Sequence, residues 1–144
     1  MQVHDSRLSD ILAEIVNSSE INVSLLCSPD GFPIAFSVES ASAEDVALLT
    51  AAMTAAVHSI SNQAVSELEN AGKFQTTIIE SDKGNFLIKE ITDKILFCCY
   101  VKKTSETLGA RVRSYMIGIA LSTMENSITK IKKYLDSMDK NSST

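Results

Sequence analysis

Apolar residues recur along the chain with two different periods, and each period predicts one type of element. In residues 6–18 they recur every three or four positions, which predicts a short amphipathic helix. In residues 22–27 and 34–38 apolar residues fall at every second position, with Leu26 as an additional apolar residue in the first segment, which predicts two strands. The segment between them, Ser28-Pro29-Asp30-Gly31, predicts a hairpin turn, because proline presets φ and glycine adopts the left-handed conformation.

A long helix is predicted from residue 42 to about residue 70, with Ser42 capping its first free amides. Two of its faces are apolar but differ in side-chain size. The face of large side chains is expected to pack on the sheet: Val46, Leu49, Met53, Val57, Ile60, Ala64 and Leu68. The opposite face is flat: Ala47, Ala51, Ala55, His58 and Asn62, with Ala52 and Leu48 beside it. We expect this flat face to dock another helix; the alternative is that alanine fills exposed helical positions through propensity alone.

Three more strands are predicted after Gly72, which is expected to end the long helix. They cover residues 74–80, 85–91 and 95–101, and short polar turns separate them. The last of them is apolar at nearly every position, so we expect it in the centre of a sheet that is covered on both faces. The first is mixed and polar, as an edge strand is, and an open edge is a template for pairing with a second copy.

A closing helix is predicted from Ser105-Glu106 to about Met138, followed by a polar tail over residues 139–144 that we expect to be disordered. The chain therefore predicts one domain over residues 1–138. Its fold class is α+β: a five-stranded, largely antiparallel sheet with helices on both faces, in the order α-β-β-α-β-β-β-α.

Charge is distributed unevenly over the 144 residues. The net charge is −5, which argues against general nucleic-acid binding. Residues 1–80 carry eleven acids and two bases, whereas residues 81–144 carry seven acids and eleven bases. This division favours an acidic and a basic surface that orient a partner, the alternative being charges scattered over solvated faces. No apolar run is long enough to span a membrane and the N-terminus is too polar for a signal peptide, so we expect a cytoplasmic protein.

The residue types that carry catalysis do not combine into a site. His4 lies in the polar N-terminus, and His58 lies in mid-helix with no carboxylate one turn away, so we expect no metal site. Cys27, Cys98 and Cys99 fall in apolar strands, which indicates buried, reduced thiols. The chain has no phosphate-binding glycine loop and no nucleophile elbow. We therefore expect a protein that is not an enzyme and holds no cofactor.

Four segments, in order, carry a resemblance to a known family. Residues 23–35, VSLLCSPDGFPIA, resemble its apolar strand, acidic-glycine turn and G-x-P-I-A return. Residues 51–56, AAMTAA, resemble its alanine-rich second helix, and Ile78-Ile79-Glu80 with Gly84 resembles its third strand and turn. Residues 108–113, LGARVR, resemble the L-G-x-x-R start of its last helix. The chain thus resembles the roadblock/dynein light chain family, in its MglB-like branch.

This resemblance implies a binding module without catalytic residues. Family members form homodimers or heterodimers in which the second helices pair antiparallel and edge strands extend the sheet. Such dimers dock, regulate or scaffold small Ras-like GTPases, and in the MglB-like branch they stimulate GTP hydrolysis without inserting an arginine finger. The implied partners of this chain are a second copy or a roadblock paralogue and a small Ras-like GTPase, with no nucleic acid and no direct membrane contact.

Nine residues are expected to form the dimer or partner surface: Leu48, Ala51, Ala52, Ala55 and His58 on the helix, Gln75 and Thr77 on the pairing strand, and Glu44 and Asp45 against a basic partner. Two other functions stay open. One is a small-molecule sensor, which a set of polar groups inside the core would favour. The other is an adaptor subunit of a larger complex without a GTPase.

Overall fold

The structure, a computed structural model, describes residues 6–18, 21–103 and 109–142. The elements are α1 (Ser6–Ser18), β1 (Ile21–Cys27), β2 (Pro33–Val38), α2 (Ala43–Ser66), β3 (Thr76–Glu80), β4 (Gly84–Thr92), β5 (Ile95–Lys102) and α3 (Ala110–Ser142). Their order confirms the predicted fold class. None of the helices in these ranges is long and apolar enough to cross a membrane.

The turn between β1 and β2 forms as the sequence predicts. The amide of Gly31 donates to the carbonyl of Ser28 at 3.0 Å, and the amide of Ser28 donates to the carbonyl of Phe32 at 2.9 Å. Gly31 has φ of +92°, a left-handed conformation that a side chain disfavours. A Cβ at this position would also lie 3.2 Å from the Cα of Ala52, so the glycine lets the hairpin approach the backbone of α2.

All strand pairs are antiparallel, and the strand order is β2-β1-β5-β4-β3. The central strand is β5, as its apolar sequence predicts, and β3 lies at one edge. Within the described residues, β3 pairs with β4 alone, so its outer edge is open. The register places Leu25 beside Cys98 and Leu26 beside Phe97. Successive residues of β1 and β5 therefore point to opposite faces of the sheet.

Helices cover both faces of the sheet, two of them on one face and one on the other. On one face, α1 and α3 bury large side chains, including Leu12, Met124 and Ile131, against Phe97 and Leu87. On the other face, α2 is the one helix of the described ranges that packs there, against Leu25, Ile88, Leu96 and the thiols of Cys27 and Cys98.

Several predicted boundaries were wrong by a few residues. Helix α2 ends at Ser66 and not near residue 70, because the chain leaves the helix through Glu67 and reaches positive φ at Asn70 and Gly72. Ser42 is the N-cap residue, but its side chain makes no capping hydrogen bond. Strand β3 starts at residue 76 and not 74.

The predicted ends of the last helix also need correction. Its expected start at Ser105-Glu106 lies outside the described residues, and α3 begins at Ala110. It continues through Ser142, so residues 139–142 belong to the helix and not to an irregular tail.

Candidate protein interaction surface

Helix α2 packs on the sheet through its small residues. The side chains that it buries are Ala47, Ala51, Thr54 and Ala55. Small side chains allow a close approach to the sheet and to Gly31, where a Cβ would lie 3.6 Å from the Cβ of Ala55. The prediction that this face is free to dock a partner was therefore wrong for Ala51 and Ala55.

The large apolar side chains of α2 point to solvent. Leu49 is 64% exposed, Met53 is 57% exposed and Ile60 is 68% exposed. Leu48 and, just beyond the helix, Leu68 are exposed as well. The prediction that this stripe packs on the sheet was therefore wrong for Leu49, Met53 and Ile60, because the alanines face inward. Val57 alone among these four packs against the sheet, as predicted. The stripe is the largest uncovered apolar feature of α2.

The open edge of β3 continues this apolar surface. Ile78 and Ile79 are both exposed, and the outer backbone groups of β3 have no neighbouring strand among the described residues. Side chains alternate along a strand, so Thr77 and Ile79 lie on the α2 side of the sheet, while Ile78 and Glu80 lie on the α3 side. The Oγ1 of Thr77 donates to the Oγ of Ser61 at 3.1 Å, which ties β3 to α2.

A groove of about 210 Å³ separates α2 from the β3–β4–β5 part of the sheet. Met53 and Val57 form one wall, and Ile79, Phe86 and Tyr100 form the other. The groove is open to solvent on the side where Met53 and Ile79 are exposed. It can receive an apolar side chain of a partner that lies along α2.

His58 lies at the end of this surface, in contact with the sheet. Its Nε2 is 3.7 Å from the Oε1 of Glu90, and its ring centroid is 5.3 Å from that of Phe74. Only 12% of the His58 side chain is exposed. His58 is thus a residue that joins α2 to β4 and to the approach to β3, not one on an open docking face.

The remaining predicted site residues are accessible, except for Thr77, which is half-buried. Leu48 and Ala52 are exposed on the flank of α2 next to the hairpin, and Gln75 is exposed just before β3. Glu44 and Asp45 are exposed in the first turn of α2. Their role in binding a partner stays a prediction.

The sequence prediction missed four exposed apolar residues of this surface: Leu49, Met53, Ile60 and Ile79. For the three residues of α2 the sequence contained a signal, since a helix that packs on the sheet through one of its two apolar faces leaves the other face exposed. Side-chain size alone does not say which.

The three cysteines of the chain are buried in the sheet. Burial raises the pKa of the Cys27 and Cys99 thiols to about 12, and raises that of Cys98 well above its usual value. Such thiols are poor nucleophiles at neutral pH. No cluster of three or more His, Cys, Asp or Glu side chains suited to a metal occurs in the described ranges.

An ion-pair cluster joins β3 to α3 on the other face of the sheet. Glu80 accepts hydrogen bonds from Arg113 Nη2 at 2.6 Å, from Arg113 Nε at 2.9 Å and from Lys103 Nζ at 2.8 Å. These hydrogen bonds lower the pKa of Glu80 from 4.5 to about 2, and Arg113 contributes more to the shift than Lys103. The cluster holds the first turns of α3 against the β3–β4 hairpin.

Comparison with known proteins agrees with this architecture. Residues 8–101 match the model of the Roadblock/LC7 domain, so the chain belongs to the Roadblock/LC7 family. No protein of curated function is significantly similar in sequence.

Solved structures share the fold at low sequence identity. MglB from Myxococcus xanthus has 11% identity and a TM-score of 0.70, with 92% of this chain and 97% of that chain covered. A Roadblock/LC7 domain from Streptomyces avermitilis has 16% identity and a TM-score of 0.66, covering 88% and 96%. A structure described as MglB with tetrameric arrangement has 14% identity and a TM-score of 0.64, covering 85% and 83%. The resemblance to this family is therefore confirmed, with MglB proteins among the structural neighbours.

Proposed function

We propose that this chain is a cytoplasmic, non-catalytic binding module. It pairs through α2 and β3 with a second roadblock chain, and the pair docks and regulates a small Ras-like GTPase. The observation that carries the proposal is the exposed apolar stripe of α2 beside the open edge of β3.

The surface suits pairing for three physical reasons. Exposed Leu49, Met53 and Ile60 lose contact with water when a second helix covers them, at about 25 cal/mol per Å² of apolar area. The groove beside Met53 and Ile79 accepts an apolar side chain of that helix. The unpaired backbone groups of β3 gain partners when a second edge strand lies beside them.

A single two-fold axis at the outer edge of β3 can pair both β3 and α2 with their counterparts in the second chain. It makes β3 antiparallel to its partner strand and, on the same face of the joined sheet, makes α2 antiparallel to the partner's α2. One structural neighbour is described as having a tetrameric arrangement, which supports association between chains of this fold. The GTPase partner is proposed from the family resemblance, whose members serve as platforms for such proteins.

The first test asks whether this surface mediates pairing. In Met53→Asp, a charge replaces an exposed apolar side chain on α2, so the dimer is expected to dissociate while the unfolding of the monomer is unchanged. Sedimentation velocity, at a protein concentration at which the wild type dimerises, measures the mass, and circular dichroism measures the fold. Tyr115→Asp is the matched control, since Tyr115 is 70% exposed on α3, on the opposite face of the sheet. Dissociation by both variants or by neither would contradict the assignment.

The second test asks for the GTPase. Purified small Ras-like GTPases from the same genome are mixed with the chain in the GDP-bound form and with a non-hydrolysable GTP analogue. Tighter binding in the GTP form, together with faster single-turnover hydrolysis, supports a regulator. Binding that is equal in both forms supports a scaffold. Absence of binding to every such GTPase would leave an adaptor as the function of the pair.

A small-molecule sensor is the second candidate, because the groove between α2 and β3 is large enough for a small apolar ligand. A thermal-shift screen with apolar metabolites and nucleotides tests it, since a ligand of the native state raises the melting temperature. A shift that Met53→Asp abolishes and Tyr115→Asp preserves would favour the sensor.

A further inference from the structure

The charges of α2 and of the turn that follows it are all negative. Glu44 and Asp45 lie in its first turn, Glu67 and Glu69 lie just beyond its last, and all four are exposed. The helix itself contains no lysine or arginine. In sequence, no lysine or arginine occurs between Arg7 and Lys73. Both ends of the proposed pairing surface are therefore acidic.

These acids adjoin the apolar side chains that pairing must cover. Asp45 precedes Leu49 by about one helical turn. Leu68, which is 64% exposed, lies between Glu67 and Glu69. A partner helix long enough to cover the surface from Leu49 to Leu68 therefore meets a carboxylate pair at each end.

A second copy of this chain is a poor match for that pattern. An antiparallel two-fold pairing brings the first turn of α2 beside the end of the partner's α2, so Glu44 and Asp45 approach the partner's Glu67 and the partner's Glu69. Like charges repel over about 10 Å at 0.1 M salt. The helix dipoles do not change this balance, because the positive end of one helix and the negative end of the other meet at each junction. Lys73, the nearest base in the sequence, offsets one of the four acids at most.

We infer that the α2 face is suited to a different roadblock-like chain, whose facing helix is apolar in its middle and basic at both ends, in preference to a second copy. The inference rests on the proposed function, since it takes α2 and β3 as the pairing surface. Complementary charges at the ends of two helices select the partner and fix the antiparallel orientation, as flanking charges do in coiled coils.

The first measurement is self-association of the wild-type chain and of Glu44→Gln/Asp45→Asn/Glu67→Gln/Glu69→Gln. The neutral variant is expected to dimerise about fivefold to tenfold more tightly at about 25 mM salt, with the difference shrinking at about 500 mM. The control is Asp10→Asn/Glu14→Gln/Asp93→Asn/Asp136→Asn, which removes the same charge from exposed positions outside α2. Equal dimer affinity in the neutral variant and the control would overturn the inference, because net charge alone would then govern association.

The second measurement supplies a basic partner. Wild type is mixed with Glu44→Lys/Asp45→Lys/Glu67→Lys/Glu69→Lys, and native mass spectrometry counts the three dimers, whose masses differ. At low salt the mixed dimer is expected to exceed the statistical share by about tenfold. Circular dichroism of the lysine variant checks its fold; if it does not fold, the neutral variant and its control decide the question.

The outcomes separate this inference from the proposed function. A statistical mixture of dimers that Met53→Asp abolishes leaves the pairing surface in place and overturns the charge selection. Absence of every dimer, at both salt concentrations and in the mixture, overturns the pairing surface and the inference together.

Discussion

The two faces of the sheet are covered by helices in opposite ways. On the α1/α3 face, helices bury their large apolar side chains, with Leu12, Met124 and Ile131 fully enclosed. On the α2 face, the helix buries alanines and one threonine and exposes its leucines, methionine and isoleucine. The first arrangement maximises the apolar area buried within the chain. The second leaves that area exposed, so the same residue types stabilise the fold on one face and form the proposed pairing surface on the other.

The largest predicted effect tests which face of α2 is the inner one. Ala51 is fully buried and its neighbour Ala52 is exposed, although both were expected to lie on the docking face. Ala51→Arg forces a charged side chain between α2 and the sheet, which is expected to cost about 4 kcal/mol of unfolding free energy or more. Ala52→Arg is expected to change it by less than about 0.5 kcal/mol. Urea denaturation measures both; similar losses in the two variants would mean that α2 is not oriented as described.

A methionine pair tests the comparison between the faces directly. Met124 in α3 is fully buried, whereas Met53 in α2 is 57% exposed. Met124→Ala removes core contacts and leaves a cavity, with an expected loss of about 2 to 4 kcal/mol.

Met53→Ala is expected to leave the stability of the monomer nearly unchanged and to weaken self-association. Denaturation at a protein concentration below the dimer dissociation constant separates the two effects. A large loss of monomer stability in Met53→Ala would show that the α2 stripe supports the fold rather than a partner.

The sequence alone predicted the fold well because its strongest signals are local. The hairpin turn at Ser28–Gly31 and the apolar run of β5 each follow from the residues that form them. Boundaries were less accurate where the chain leaves a helix gradually, as it does between Ser66 and Gly72.

The site was predicted less well because it depends on contacts distant in sequence. Whether Ala51 or Leu49 faces inward depends on the close approach of α2 to Gly31 and to β1, and helical periodicity does not encode that approach. The same limit applies to His58 beside Glu90 and to Glu80 beside Arg113, whose partners lie tens of residues away. Periodicity showed that α2 has two apolar faces; only packing shows which of them is free.

The smallest predicted effect concerns the ion pairs that join β3, the proposed pairing strand, to the helix layer on the other face. The pKa of Glu80 is about 2 in the folded chain, below its ordinary value of 4.5, because Arg113 and Lys103 donate to its carboxylate. A lowered folded pKa contributes stability above the unfolded pKa, and that contribution is lost as the pH falls from about 4.5 through about 2. Glu80→Gln is therefore expected to flatten the decline of unfolding free energy over this pH window.

The control is Glu125→Gln. Glu125 lies on α3, and its carboxylate is 2.6 Å from the Nζ of Lys89 on β4. Glu125 is 52% exposed, so water solvates its charge and its pair contributes little. Urea denaturation at steps between pH 2 and pH 7 gives the profile, and carboxyl NMR of Glu80 gives its pKa directly. If wild type and Glu80→Gln showed the same acid profile, Glu80 would not couple β3 to α3. Strand β3 and helix α3 would then respond to acid independently of each other.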